Sequence, residues 1–292
     1  MIVARVQLLF AAVIFGWTFV ATKICLTRLT PVELLGARFL IALPVLYGLM
    51  RFKGVKPGWP GWALPQRRWK ELGAGAVLFC FHFLIQVTGM QYTSATNTGW
   101  IVTVAPLAIA VLAHWILKER LTKRILIGIG VSSAGILSLV SRGDFGSLAW
   151  LTSIGDWLIL VSAFTWALFT ILIRDVSRTE SPLLVTFSMV LPAAVVAVGL
   201  AALRSGFGTF SNLPVEIILS LVFLGVVATA IAHWFFQEGL ARVGATEAGM
   251  YLFIEPVATM ALAVPYLGEP YGLAVIVGGV LVLGGVFLAQ LR

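Results

Sequence analysis

Glu255 is a carboxylate inside an otherwise apolar stretch, residues 245 to 267. If that stretch crosses a bilayer, its charge is costly there and faces a cavity or a partner rather than lipid. Glu247, Tyr251 and Glu255 recur every four residues, which places them on one face of a helix, with Glu255 deepest. A carboxyl group so placed could take up and release a proton. It also precedes Pro256, and could instead pair with Arg38 or Lys23 to hold helices together. Both readings stay open. His82 and Gln86 lie one helical turn apart, and His233 and Gln237 repeat that spacing. Each pair draws a polar stripe along an apolar segment, as suits the wall of a cavity; the plainer role for each histidine is a hydrogen bond between helices. His82 is a second candidate for proton handling. Asn97, Trp100 and Thr103 share one helix face, Trp166 and Thr170 another, and His114 falls near the end of its segment, as an interfacial residue would.

Other chemistries find no support in these spacings. There is no H-E-x-x-H, no pair of aspartates, no G-x-S-x-G and no G-x-x-x-x-G-K-[ST]. Cys25 and Cys80 lie in or beside apolar runs, so neither a disulfide framework nor a metal centre is expected. No cofactor is expected either. An intramembrane enzyme acting on a lipid or peptide is the alternative of a different class, and it lacks a catalytic constellation. A channel would need a filter or a charged ring, and none can be recognised.

The elements that position these residues follow from composition. Of the 292 residues, 60% are hydrophobic and 11% are charged, against about a quarter charged in a soluble domain. The apolar residues gather into runs long enough to span about 30 Å of hydrocarbon, which takes roughly 20 helical residues. Residues 72 to 117 carry no charge and must be two spans hinged at Gln91, Thr93, Ser94, Thr96 and Asn97. With the remaining runs this predicts an all-α polytopic membrane protein of ten transmembrane helices. No connection is long enough for a soluble domain.

Basic residues fix the expected orientation, because Lys and Arg favour the cytoplasmic side. Arg51, Lys53, Arg68 and Lys70 crowd the second loop, while Lys23 and Arg28 are alone in the first. Both termini are then cytoplasmic, in the cytoplasmic (plasma) membrane of a bacterium. The net charge of +8 faces anionic lipids of the inner leaflet, and no nucleic-acid partner is needed.

Sliding the chain by 150 residues superposes Ala95 on Ala245, Thr96 on Thr246, Gly99 on Gly249, Pro106 on Pro256, Glu119 on Glu269, Gly128 on Gly278 and Gly135 on Gly285. With small shifts the match reaches Trp17, the mate of Trp166. The first span therefore belongs to a repeat and is expected to be retained rather than cleaved as a signal peptide. The repeats are residues 1–142 and 153–292, each with five spans. Five is odd, so the halves are inverted, as in many secondary transporters. Glu119 and Glu269 are each expected to serve a helix N-terminus, and the glycines spaced by seven to permit close helix contact.

The stretch Pro106-Leu107-Ala108 through Leu117-Lys118-Glu119-Arg120-Leu121, its partner from Glu255-Pro256-Val257 to Leu267-Gly268-Glu269, and Ala37-Arg38-Phe39 resemble the EamA branch of the drug/metabolite transporter superfamily. The resemblance covers nearly the whole chain. It implies two inverted five-helix repeats around a central cavity lined mainly by helices 1, 3, 4, 6, 8 and 9. Trp17, Trp100 and Trp166 would then supply flat cavity walls. Trp59, Trp62, Trp69, Trp115, Trp150 and Trp157 read instead as belt anchors at the interface. The expected activity is secondary transport, an exporter of amino acids or related amphipathic amines, with an uptake or exchange permease as the variant. The candidate solute-binding set is Trp17, His82, Gln86, Asn97, Trp100, Trp166, Thr170, His233, Gln237, Tyr251 and Glu255, with Glu255 and His82 as the proton-coupling candidates. Partners are a small-molecule solute and a coupling proton, in a monomer or a homodimer.

Overall fold

The computed structural model describes residues 1–55, 66–141, 153–204, 208–268 and 273–290. Trp59, Trp62, Trp150 and Glu269 lie outside these. The described residues form α1 (Ile2–Cys25), α2 (Pro31–Phe52), α3 (Gln66–Met90), α4 (Ala95–Ile116), α5 (Lys123–Ser141), α6 (Ile154–Thr179), α7 (Pro182–Arg204), α8 (Val215–Val243), α9 (Ala245–Leu267) and α10 (Leu273–Gln290). Among the described residues eight of these helices are long and apolar enough to cross a membrane by themselves.

Local chemistry sets the helix starts. Thr30 accepts a hydrogen bond from the Glu33 N–H while Glu33 reaches back to Thr30, a capping box with Pro31 in the first turn. Ser153 and Asp156 build the same box at the start of α6. The hinge between α3 and α4 falls where the polar cluster places it, between Met90 and Ala95.

The repeat appears in the packing. α5 and α10 cross where a Cβ on Gly128 would meet the Gly285 carbonyl and one on Gly135 the Gly278 carbonyl. Ser132 Oγ donates to the carbonyl of Val282, its mate in the repeat, at 3.2 Å. The crossing is antiparallel, lower numbers on α5 meeting higher ones on α10, and it is centred on a mated pair. α4 and α9 repeat the pattern: Gly99 lies against Thr259, and Gly249 against Ile109, which is the mate of Thr259. Close approach through glycine lets backbones touch, and van der Waals packing holds membrane helices together without a hydrophobic drive between them.

Both of these helices break at the same place. α4 is interrupted between Ile101 and Val104, and α9 by a tight 3-10 turn over Leu252–Ile254. The cause is shared: Pro106 and Pro256 remove an N–H and crowd the preceding turn. α8 departs differently, widening into a π-helix over Phe223–Ala232.

Candidate functional site

The interruptions of α4 and α9 face one another across a central cavity. Val102 and Ala105 on α4, and their mates Leu252 and Glu255 on α9, line it. α1 adds Phe15, Thr18 and Phe19, and α2 adds Arg38. His82, Phe83 and Gln86 come from α3, Ala163 and Trp166 from α6, and His233 from α8. The unfilled space, mouth included, is about 460 Å³, within the range of small-molecule sites.

Glu255 is 7% exposed. Gly16 of α1 has no Cβ to fend off the next helix, so the Glu255 backbone lies directly against it. Thr259 Oγ1 donates to the Gly16 carbonyl at 2.9 Å, tying α1 to α9 at this level. No ion pair among the described residues involves the Glu255 carboxylate. Arg38 gives its Nε–H to Thr229 Oγ1 at 2.6 Å, and Lys23 gives its ammonium to the carbonyls of Met90 and Thr93. The pairing of Glu255 with Arg38 or Lys23, one of its two expected roles, is therefore not made.

The two histidines meet across an aromatic cluster. His82 Nδ1 lies 2.9 Å from the Ser162 carbonyl, and His233 Nδ1 2.7 Å from the Ala228 carbonyl. A carbonyl only accepts, so each Nδ1 carries the proton and each Nε2 is left as an acceptor. The Trp166 ring centroid stands 5.0 Å from that of His82 and 5.9 Å from that of His233, with Phe15 and Phe83 packed between. The ungapped repeat sets His233 against Phe83 rather than His82. His233 still reaches the cavity beside His82, at the end of the π turn of α8, whose bonds run from i to i+5; such turns concentrate at functional sites.

Of the expected binding residues, His82, Gln86, Trp166, His233 and Glu255 come together at the cavity. The other six do not line it. Trp17 packs half-buried against the core. Asn97 sits at the start of α4, donating to Asp156 Oδ1 at 2.6 Å. Trp100 is buried in the core, and Thr103, beyond the break in α4, bonds back to its carbonyl. Thr170 turns its hydroxyl to the Trp166 carbonyl within α6. Gln237 accepts from Ser177 Oγ at 2.8 Å, joining α8 to α6. Tyr251 faces a lateral crevice with Ile2, Val6 and Leu9. The single face expected for Glu247, Tyr251 and Glu255 does not form, because the 3-10 turn between Tyr251 and Glu255 advances the chain faster per residue than an α-helix does. Glu247 pairs instead with Arg5 at 2.8 Å.

Sequence reasoning passed over Arg38 as a wall of the cavity, although a cation within an apolar run was the signal. It also passed over the apolar wall of Phe15, Phe19 and Phe83, which nothing in composition separates from core. Glu119 serves a helix N-terminus as expected, but on a different helix: it lies in the turn before α5 and accepts from the N–H groups of Ala245 and Thr246 at the start of α9.

Comparison with known proteins agrees with this architecture. The model of the EamA-like transporter family matches residues 4–141 and 153–291. Over 288 residues the chain is 27% identical to the protein named "Uncharacterized transporter YyaM" of Bacillus subtilis (strain 168), covering 98% of this chain and 92% of that one. It is 27% identical to an "Uncharacterized transporter" of Archaeoglobus fulgidus, with 99% and 98% covered. It is 26% identical to a "Probable amino-acid metabolite efflux pump" of Salmonella typhimurium, with 96% and 92% covered. A solved crystal structure, 19% identical, superposes with a TM-score of 0.75 over 97% of this chain and 95% of that one. Two family matches, one on each five-helix half, together span nearly all of a polytopic membrane protein whose halves enclose a central cavity: the chain belongs to the EamA-like transporter family.

Proposed function

We propose that the chain is a secondary transporter that exports amino acids or related amphipathic amines by alternating access, with both termini cytoplasmic. The observation that carries this reading is the central cavity between the broken segments of α4 and α9, with an unpaired carboxylate, Glu255, on its wall. Discontinuous helices at the interface of inverted repeats are where secondary transporters hold substrate. The family and the similarity to a relative named for amino-acid metabolite efflux support the solute class.

His82, Gln86, Trp166, His233 and Glu255 bind the solute in this scheme. The histidine Nε2 atoms accept from an ammonium or hydroxyl group, the Trp166 face covers an apolar body, and Glu255 meets the ammonium or carries a proton in its absence. Exchange of proton for ammonium at one carboxylate couples the two without a second site. Anionic lipids sit against the basic residues around the end that holds Met1.

Purified protein in liposomes loaded with an amino acid or an amine should show counterflow of the labelled solute. A pH gradient should drive its accumulation, and Glu255→Gln should abolish that drive while exchange persists. Absence of counterflow across a panel of amino acids and amines contradicts the reading. Unchanged proton coupling in Glu255→Gln reduces Glu255 to a structural part.

A further inference from the structure

Arg38 is the unexplained charge in this cavity. It sits in α2, 2% exposed, and a cation at that depth in a membrane is costly unless something answers it. What answers it here is partial. Nε donates to Thr229 Oγ1 at 2.6 Å, and the guanidinium carbon lies 4.7 Å from the centroid of the Phe83 ring. Thr229 gives its own proton to the Leu224 carbonyl at 2.7 Å, five residues back along the π turn of α8. Its oxygen is thus left to accept, and the π turn fixes where Nε points. No carboxylate pairs with Arg38, and the N–H groups on Nη1 and Nη2 meet no acceptor among the described residues. Arg38 lines the chamber.

A guanidinium held by one edge, with its planar fork left unpaired in the chamber, is the complement of a carboxylate, which it takes through two parallel hydrogen bonds. The other polar groups around it do not compete for that role. His82 and His233 have committed their protons to backbone carbonyls, so they present acceptors. Glu255 presents a carboxyl group, and it too has no ion-pair partner among the described residues. The chamber therefore holds one guanidinium and one carboxyl group that do not pair with each other, with Phe15, Phe83 and Trp166 in its walls.

We propose that Arg38 binds the carboxylate of the transported solute, and that Arg38 and Glu255 together select a zwitterion, an amino acid with a large apolar or aromatic side chain, over amines or acids of the same shape. This narrows the transport reading and rests on it.

Three probes share one carbon skeleton and differ in charge: L-phenylalanine carries both groups, phenethylamine lacks the carboxylate, and 3-phenylpropionate lacks the amine. Their binding to the purified full-length protein is measured by displacement and by thermal shift. The wild type should hold phenylalanine about tenfold or more tighter than either analogue. Arg38→Gln should bring phenylalanine down to the level of phenethylamine, and Glu255→Gln to the level of 3-phenylpropionate. If Arg38→Gln does not give a monodisperse protein, Arg38→Lys carries the test. It keeps the charge but not the fork, and should weaken phenylalanine several-fold more than phenethylamine.

An unchanged phenylalanine to phenethylamine ratio in the Arg38 variant overturns the assignment. So does a wild type that holds the amine as tightly as the amino acid, or one that holds none of the three. Counterflow of another solute by that wild type would leave the transport reading standing and sink this one alone.

Discussion

The two ends of the bundle are closed by equivalent helix pairs, but the bonds that close them are of different kinds. At the end that holds Met1, α1 meets α9 through the Arg5–Glu247 ion pair at 2.8 Å. At the opposite end α6 meets α4 through Asp156, which accepts from Asn97 Nδ2 and from Thr93 Oγ1. Asn97 is the mate of Glu247 in the repeat. One position carries a charge in one half and an amide in the other.

The helix starts beside these contacts differ in the same way. The amides that open α9 are taken by Glu119, whose Oε2 also receives the Thr246 hydroxyl and whose Oε1 stands 3.4 Å from Arg174 of α6. The start of α4 is capped locally by Ser94, and the hydroxyl of Thr96, the mate of Thr246, is buried without a hydrogen-bond partner. A distant residue caps the start of α9, whereas the start of α4 is capped within its own segment, and the ties across helices at that end run through Asp156 of α6 and through Lys23 of α1, which donates to the Met90 and Thr93 carbonyls. The chamber follows this difference: Phe19 and Arg38 place it toward the end away from Met1. Each end is thus tied across helices, by the Arg5–Glu247 pair and Glu119 at the Met1 end and by Asp156 and Lys23 at the other.

The comparison can be broken from its strongest element downward. Glu119→Ala leaves two backbone N–H groups unanswered and takes from Arg174 one of its two carboxylate partners, and should cost about 3 kcal/mol of stability. The readout is a lower unfolding temperature in detergent together with greater access to the Met1 end. Asp156→Ala removes the acceptor shared by Thr93, Asn97 and the Ser153 N–H, a loss of about 2 kcal/mol. Its opening should show at the other end. Arg5→Ala breaks an ion pair about a quarter exposed on each side, and about 0.5 kcal/mol is the expected effect. Equal effects from all three would mean that the ends are latched alike.

The features legible in the sequence were those set by local chemistry. The hinge at Gln91 to Asn97 was readable because five polar residues cannot sit together in hydrocarbon, and the α5–α10 crossing because glycines repeat at a spacing of seven. The cavity was half legible. His82, Gln86, Trp166, His233 and Glu255 stood out as polar or aromatic residues in apolar runs, and they converge. Asn97, Gln237 and Tyr251 stood out on the same grounds and do not, since a polar side chain in a membrane helix is answered equally well by a neighbouring helix, as Ser177 answers Gln237. Two features were out of reach because they arise from tertiary fit: the 3-10 turn that separates Tyr251 from Glu255, and the π turn of α8 that runs up to His233. Pro256 was visible; the direction in which the chain leaves the turn before it was not.

The account rests on a chamber that is reached from each side of the membrane in turn. Cysteine placed singly at Ala163 or Ala105, both on the chamber wall, in a protein whose Cys25 and Cys80 have been replaced, measures this with an impermeant thiol reagent applied to one face of oriented vesicles at a time. Labelling from both faces, slowed by bound solute, is the predicted result. Labelling from one face alone under every condition, or from neither, would contradict it.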